Sequence, residues 1–272
     1  MSIGLSTYAF FWRHSGRVAA PLDLAGMLDA TASLGVSTFQ VCDYPAIEAL
    51  SPAALADVAA RASELGIALE LGVRGIRGVD LARYLRLADA LGASVVRSML
   101  YTATDRPTLD EAAHELAGAL PAFEDAGVTI ALETYEQVST TDLADLVARV
   151  GSASLGICLD VANVTARLEN QREVIDRVGP LVKNLHVKDF QFVRAEGLVG
   201  FELVGAPLGD GLLDLDHLME TVRPFERGIS AIVEHWLPWQ GDEESTIRAE
   251  EQWTAQSVAV LRQREQAHKS TG

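Results

Sequence analysis

Residues 154–160, SLGICLD, form a short apolar run that ends on an aspartate, and a turn and a helical pattern follow. The runs TIALET at 129–134, VKNLHVKD at 182–189 and SAIVEH at 230–235 repeat this arrangement. A strand, a helix of ten or more residues and another strand together form the signature of a βαβ unit. These runs therefore predict neighbouring strands of a parallel sheet.

The same alternation extends through the whole chain of 272 residues. Strands are predicted at 3–8, 38–43, 68–73, 94–100, 129–134, 154–160, 182–189 and 230–235. Amphipathic helices are predicted at 22–34, 51–65, 79–91, 108–126, 141–149, 171–178, 214–222 and 243–265. Eight such units, in a chain close to the roughly 250 residues of one barrel, predict an α/β fold with a single (β/α)8 TIM-barrel domain over residues 1–272.

One connection is longer than the others. Residues 190–213, after the seventh predicted strand, are rich in Gly and Phe and show no helical period. Loops longer than about 12–15 residues without structure of their own are usually functional or disordered. We expect a lid or a small hairpin over the site, and a solvent-facing excursion is the alternative.

Composition excludes several classes of function. Lys plus Arg is 22 and Asp plus Glu is 38, so the formal charge of −16 argues against nucleic acid as a substrate. The apolar stretch near the N-terminus has no basic start and is too short to span a bilayer, so no membrane association is expected. Cys42 and Cys158 lie in strand-like runs and are predicted to be buried, reduced thiols in a cytoplasmic protein.

Four strand ends carry candidate metal ligands: Glu133, Asp160, His186 and Glu234. The strand ends of a parallel barrel meet on one side, so these side chains are expected to converge. Three carboxylates and one imidazole suit a hard divalent ion better than zinc. We expect one ion per chain, with Mn²⁺ first and Mg²⁺ or Co²⁺ as alternatives. For any one acid alone, a helix cap or an ion pair is the alternative.

Two basic residues are candidate partners of the substrate. Lys188 shares the inward face of its strand with His186, because alternate residues of a strand point the same way. We expect it to stabilise negative charge on a substrate oxygen, with a salt bridge to a ligand acid as the alternative. Arg97 is a candidate for binding a substrate carboxylate or phosphate, and pairing with an inward acid such as Glu70 is the alternative.

Aromatic residues follow the first and the last predicted strand. Phe10, Phe11 and Trp12 follow the first, and Trp236 and Trp239 follow the last. These strands are neighbours in a closed barrel, so the two groups are expected to form one apolar wall beside the metal, with Trp12 and Trp236 binding substrate. A homo-oligomer or partner-subunit contact is the alternative, since large apolar patches often mark interfaces.

The strings ALET, LGICLD, NLHVKD and AIVEHW resemble the xylose-isomerase-like TIM-barrel superfamily, which includes sugar isomerases, keto-sugar 3-epimerases, inosose dehydratases and endonuclease IV. The resemblance covers essentially the whole chain. It implies that Glu133, Asp160, His186 and Glu234 match the metal ligands of the epimerase branch, whose two glutamates also move the substrate proton. Endonuclease activity is not expected, because the early strand ends carry no histidine for a zinc cluster and the chain is acidic.

The sequence departs from the epimerase branch at two positions. Asn163 stands where that branch usually has a histidine, and Phe192 stands where it usually has an arginine. Both changes affect the part of the pocket that binds substrate oxygens, and Asn163 remains a candidate substrate-binding residue. The combination of HVKDF, PLGDGLLD and EHW more closely resembles members that act on 3-oxo sugar acids or 3-oxo glycosides.

These observations predict a divalent-metal-dependent isomerase or epimerase of a small keto sugar or its derivative, with an enediolate intermediate and Glu133 and Glu234 as acid and base. The alternative is a lyase on a 3-oxo sugar, either a decarboxylase of a 3-oxo acid or a C-glycoside deglycosidase that acts by elimination. A carboxylate-binding Arg97 favours decarboxylation. A catalytically silent binding or scaffold barrel is a third hypothesis, against which the intact set of ligands argues.

Overall fold

Eight parallel strands close into a barrel in the computed structural model, which describes residues 2–197 and 199–271. In their order around the barrel they are β1 (Ile3–Ser6), β2 (Thr38–Cys42), β3 (Ala68–Arg74), β4 (Val95–Met99), β5 (Thr129–Glu133), β6 (Leu155–Asp160), β7 (Val182–Val187) and β10 (Ala231–Val233). The first and last strands, β1 and β10, pair in parallel and close the ring. This order confirms the predicted (β/α)8 barrel.

The helices surround this barrel. They are α1 (Leu24–Ser33), α2 (Pro52–Glu64), α3 (Gly78–Leu91), α4 (Leu109–Asp125), α5 (Thr140–Val150), α6 (Val161–Ala166), α7 (Gln171–Val178), α8 (Leu215–Val222), α9 (Pro224–Arg227) and α10 (Glu243–Thr271). The sequence patterns do not predict α6 and α9, which have only 6 and 4 residues and are too short to show a helical period. None of the helices in the described part of the chain has the length and apolar character needed to cross a membrane.

Local chemistry sets the helix ends. Thr108 and Glu111 form a reciprocal capping box at the start of α4, in which each side chain accepts the backbone N–H of the other residue. Gly92 and Gly151 end α3 and α5 with φ angles of 66° and 70°, a conformation that glycine adopts without a Cβ penalty. Because all the barrel strands run parallel, the loops that follow them lie at one face of the barrel.

An antiparallel hairpin leaves that face after β7. It consists of β8 (Asp189–Arg194) and β9 (Phe201–Ala206), so the run predicted as one strand over 182–189 contains all of β7 and the first residue of β8. The buried carboxylate of Asp189 accepts the backbone N–H groups of Phe190, Gly209, Gly211 and Leu213, at 2.8–3.1 Å. Asp189 thereby holds both ends of the hairpin, and Lys188 lies at the junction with β7.

Candidate active site

His186 of β7 lies at the centre of the predicted ligand set. Its Nδ1 atom is 3.4 Å from Glu133 Oε1, 3.5 Å from Glu234 Oε2 and 3.8 Å from Asp160 Oδ2. Among the described residues Nδ1 has no hydrogen-bond partner, although it is fully buried. The barrel therefore brings the four side chains together, because the strand register aligns Asp160 with His186 and places Glu133 and Glu234 at the flanking strand ends.

Neighbouring groups orient the three carboxylates. Asp160 caps α6 and accepts the backbone N–H of Asn163 at 3.1 Å. The Asn163 side-chain amide donates to Glu133 Oε1 at 2.9 Å, and the Ser6 hydroxyl donates to Glu234 Oε1 at 2.8 Å. The predicted substrate-binding residue Asn163 is thus buried and holds a ligand carboxylate.

The donor set fits a divalent cation. Glu133, Asp160 and His186 present one donor atom each within 4.8 Å of one another, and Cys42, His186 and Glu234 form a second such set. Burial lowers the pKa of His186, but Cys158, Glu234 and Asp160 raise it well above its usual value in the metal-free protein. A divalent cation bound among the three carboxylates would replace that positive charge and meet the lone pair of Nδ1. Carboxylate and imidazole donors suit Mn²⁺ or Mg²⁺, whereas the Cys42 thiol would add a softer donor.

Lys188 is buried beside this cluster, on the same face of the strand as predicted. Its ammonium nitrogen lies 2.8 Å from Asp160 Oδ2 and 3.0 Å from Glu234 Oε2, and 4.9 Å from the centre of the Trp236 ring. Burial lowers the pKa of Lys188, but the carboxylates of Asp160, Glu234 and Glu133 outweigh that effect and raise it above its usual value. Lys188 therefore carries a proton at the edge of the site.

The same contacts keep the carboxylates ionised. Burial alone would raise the pKa of Asp160, but the charges of Lys188 and His186 lower it to about 2. The pKa of Glu234 is also below its usual value, because His186 and Lys188 outweigh the effect of burial. The cluster thus holds ionised carboxylates close together and favours the binding of a cation.

Arg97 of β4 approaches the cluster from the opposite side. Its Nε atom lies 2.5 Å from Glu133 Oε2, a contact that is electrostatic rather than a well-aligned hydrogen bond. Burial opposes the charge on Arg97, but Glu133 and Asp43 raise its pKa well above the usual value. Arg97 therefore pairs with an inward acid, as the alternative to substrate binding held, although that acid is Glu133 and not Glu70, which contacts Gln40 and Asn184.

A second charged group lies at the rim, on the side of β1 to β3. Arg74 makes a bidentate pair with Asp43 at 2.8 and 2.9 Å, and the Tyr8 hydroxyl donates to Asp43 Oδ2 at 2.6 Å. Asp43 has a φ of +49°, an uncommon conformation for a residue other than glycine. Burial raises the pKa of the Tyr8 hydroxyl, and the Asp43 charge raises it further. This rim group was not predicted as a site.

The aromatic residues after β1 and β10 do meet. Trp12 and Trp239 pack edge to face with ring centres 5.2 Å apart, and the Trp12 indole N–H donates to the carbonyl of Leu237 at 2.7 Å. Trp236 faces Lys188, whereas His235 turns outward and contacts Thr254 of α10 at 3.1 Å. The two aromatic groups therefore meet through Trp12 and Trp239, whereas Trp236 lies beside Lys188 and the acids.

Comparison with known proteins agrees with this geometry. Residues 28–264 match the xylose isomerase-like TIM barrel family. The chain belongs to this family. It is 53% identical over 261 residues to 3-oxo-isoapionate decarboxylase of Pectobacterium atrosepticum, covering 96% of this chain and 95% of that protein.

Solved structures of the family share the fold at low sequence identity. D-psicose 3-epimerase from Clostridium cellulolyticum H10 has a TM-score of 0.73 at 15% identity and covers 96% of this chain and 97% of that one. A family member from Mycobacterium smegmatis in complex with magnesium has a TM-score of 0.69 at 16% identity and covers 95% and 97%. These structural similarities support only the barrel fold. The relative that is 53% identical is the one relevant to the type of reaction.

Proposed function

We propose that this protein is a divalent-metal-dependent decarboxylase of a 3-oxo sugar acid. The relative that is 53% identical over nearly its whole length is a 3-oxo-isoapionate decarboxylase. This supports the alternative drawn from the sequence better than the isomerase or epimerase reading, because the epimerase neighbours are only 15–16% identical. A 3-oxo sugar acid of the size of 3-oxo-isoapionate is the proposed substrate.

The observation that carries the proposal is the pairing of both glutamates with buried cations. Glu133 contacts Arg97 at 2.5 Å, and Glu234 contacts Lys188 at 3.0 Å. An epimerase needs two carboxylates that exchange a proton with the substrate on either face, and an adjacent cation makes a carboxylate a weaker base. A decarboxylase removes no C–H proton in its first step, so paired glutamates do not hinder it.

The charge of the site favours an anionic substrate. Glu133, Asp160 and Glu234 carry three negative charges, while Arg97, Lys188 and a divalent ion carry four positive charges. The rim pair of Asp43 and Arg74 is neutral by itself. One carboxylate of a sugar acid would therefore balance the site, whereas a neutral ketose would leave a positive charge buried, which is costly.

Glu133, Asp160, His186 and Glu234 would hold the divalent ion. A bound ion of this kind supplies a Lewis acid for a carbonyl oxygen. In the proposed reaction the bond between the carboxylate carbon and C2 breaks, its electron pair moves toward the 3-oxo group, and CO₂ leaves. Lys188 then delivers a proton from Nζ to C2 of the enolate and regains one from solvent. The charge of Lys188 also stabilises the enolate oxygen before that transfer.

The remaining residues shape the pocket. Trp236 covers Lys188 with an apolar ring, and a lower local dielectric there would strengthen the electrostatic interactions within the site. The Asn163 amide nitrogen donates to Glu133 and to the Thr134 carbonyl, so Asn163 holds Glu133 in place and would meet a substrate through its Oδ1. The two buried free thiols are consistent with a reducing compartment, and we include a cytoplasmic setting in the proposal.

The test is a turnover assay in D₂O with Mn²⁺ and a panel of 3-oxo sugar acids that includes 3-oxo-isoapionate. We expect CO₂ in equal amount to product, with one deuterium at the former C2 of the product and none in recovered substrate. Deuterium in recovered substrate without CO₂ would instead show an epimerase or isomerase. Release of an aglycone from a 3-oxo glycoside would show an eliminating lyase.

A further inference from the structure

A buried polar layer lies directly beneath the proposed metal site. Gln40 of β2, Glu70 of β3 and Asn184 of β7 point into the barrel and are 0–4% exposed. The Gln40 amide nitrogen lies 3.0 Å from both Glu70 Oε2 and Asn184 Oδ1, and Asn184 Nδ2 lies 2.8 Å from Glu70 Oε2. These groups come from three strands, and none of them has a role in the proposed reaction.

The contacts fix the orientation of the Gln40 amide. Its nitrogen is a donor and faces two oxygen acceptors, on Glu70 and Asn184. Rotation of the amide by 180° would place its oxygen against these two oxygens and leave buried polar groups unpaired, which is unfavourable. The Gln40 oxygen must therefore face the other way.

That oxygen meets His186. Gln40 Oε1 lies 2.8 Å from His186 Nε2 and 2.9 Å from the Cys42 sulfur, whose thiol donates to it. An oxygen accepts, so Nε2 must carry the hydrogen. In a neutral imidazole the other nitrogen, Nδ1, then has the free lone pair. Nδ1 is the atom that faces the three carboxylates.

We propose that Gln40 is a positioning residue, oriented by Glu70 and Asn184, that holds His186 in the Nε2–H tautomer and so makes Nδ1 available to a divalent cation. This inference rests on the proposed metal site. Groups that orient a metal-ligating histidine typically contribute 10–100-fold to metal affinity. Gln40 lies 146 residues from His186 in sequence.

The first experiment measures the affinity of purified protein for Mn²⁺, by electron paramagnetic resonance of the free ion, without any substrate. Gln40→Met removes the acceptor at similar volume and is expected to weaken binding by about 10–100-fold. Gln252→Met, the same substitution at an exposed position of α10, is the matched control, and its affinity should stay within about threefold of the wild type. Gln40→Glu combined with Glu70→Gln restores an acceptor opposite Nε2 and should recover most of the lost affinity.

The second experiment reads the tautomer directly. Protein labelled with ¹⁵N in histidine and loaded with Mg²⁺ should show the one-bond proton coupling of His186 at Nε2. A proton at Nδ1 in that spectrum would overturn the inference even if Gln40→Met failed to fold. So would wild-type affinity in folded Gln40→Met, or failure of the double variant to recover. If the wild type itself bound neither ion, the proposed metal site would be wrong, which is a distinguishable result.

Discussion

The two halves of the barrel contribute differently to the site. The half from β5 to β10 supplies the convergent groups, namely Glu133, Asp160, His186, Lys188 and Glu234. The half from β1 to β4 supplies groups that contact these side chains through hydrogen bonds or an ion pair. Ser6 donates to Glu234, Arg97 pairs with Glu133, and Gln40 accepts from His186.

This difference follows from the electrostatics of burial. Three carboxylates close together repel one another and lose hydration, so they persist only with donors and cations nearby. Asp160 and Glu234 already share Lys188 within their own half, and Glu133 receives Arg97 from β4. The half from β5 to β10 therefore carries the acids and the lysine that two of them share, and the half from β1 to β4 contributes one cation and the groups that orient these side chains.

The largest effect is expected from a ligand in the second half. Asp160→Asn keeps the shape of the side chain but removes one of the three charges directed at the cation. Metal affinity should fall by more than the roughly 10–100-fold typical of a supporting residue, and decarboxylation should be lost with it. Metal analysis after dialysis measures this, with the exposed Asp57→Asn as the control. Unchanged metal content in Asp160→Asn would remove Asp160 from the site.

Substitutions in the first half are expected to lower the free energy of unfolding as well as the activity. Arg97→Met leaves the buried Glu133 without its cation, and breaking a buried pair in this way typically costs about 3–5 kcal/mol. Arg149→Met breaks an exposed pair with Asp110 and should cost only about 0–1 kcal/mol. Urea unfolding of metal-free protein compares the two variants. Equal small losses would show that Glu133 does not depend on Arg97.

Substitution of Lys188 tests the proposed chemistry of the second half without removing a candidate metal ligand. Lys188→Met should fold and bind metal but lose roughly 10²–10³ in kcat, which corresponds to about 2.7–4 kcal/mol of electrostatic stabilisation. Lys183→Met on the exposed face of the same strand is the control and should keep full activity. Near-normal turnover in Lys188→Met would show that this lysine only balances the charge of Asp160 and Glu234.

The sequence predicts the fold and the convergent half of the site well, and it predicts the supporting half poorly. Eight strand–helix units and strand-end acids are visible because their spacing along the chain determines their place in a closed barrel. The alternation of side-chain direction along a strand also predicts that Lys188 lies on the same side as His186. These predictions require only the local sequence pattern of each strand and helix and the closure of the strands into a barrel.

The supporting contacts depend on which side chains meet across the barrel. Gln40 and His186 lie 146 residues apart, and no pattern within either strand indicates that they touch. The sequence could name Glu70 only as an example of an inward acid for Arg97, since Glu70 and Glu133 both point inward and only the packed interior shows that Glu133 is the partner. The hairpin of β8 and β9 was predicted only as one possibility beside a lid, because residues 191–194 and 201–204 are not buried and no core face sets a period on them.

The smallest expected effect concerns Glu250 of α10, which supports the first half from outside the barrel. Its buried carboxylate accepts the backbone N–H groups of Trp12 and Arg13 at 2.7 and 3.2 Å and so holds the loop that carries the aromatic wall. Burial raises the pKa of Glu250 from 4.5 to about 7, against these hydrogen bonds and the charge of Arg13. The folded state therefore binds the proton more tightly, and the stability gained is fully present below pH 4.5 and lost as pH rises through 7.

The experiment compares the wild type with Glu250→Gln. Relative to this variant, the melting temperature of the wild type should fall by a few degrees between pH 5 and pH 8, since about 1 kcal/mol shifts Tm by roughly 2–4 °C in a domain of similar size. Thermal melts of both proteins across that range measure the difference. A difference that is constant with pH would mean that Glu250 stays ionised in the fold and that its two backbone hydrogen bonds outweigh its burial.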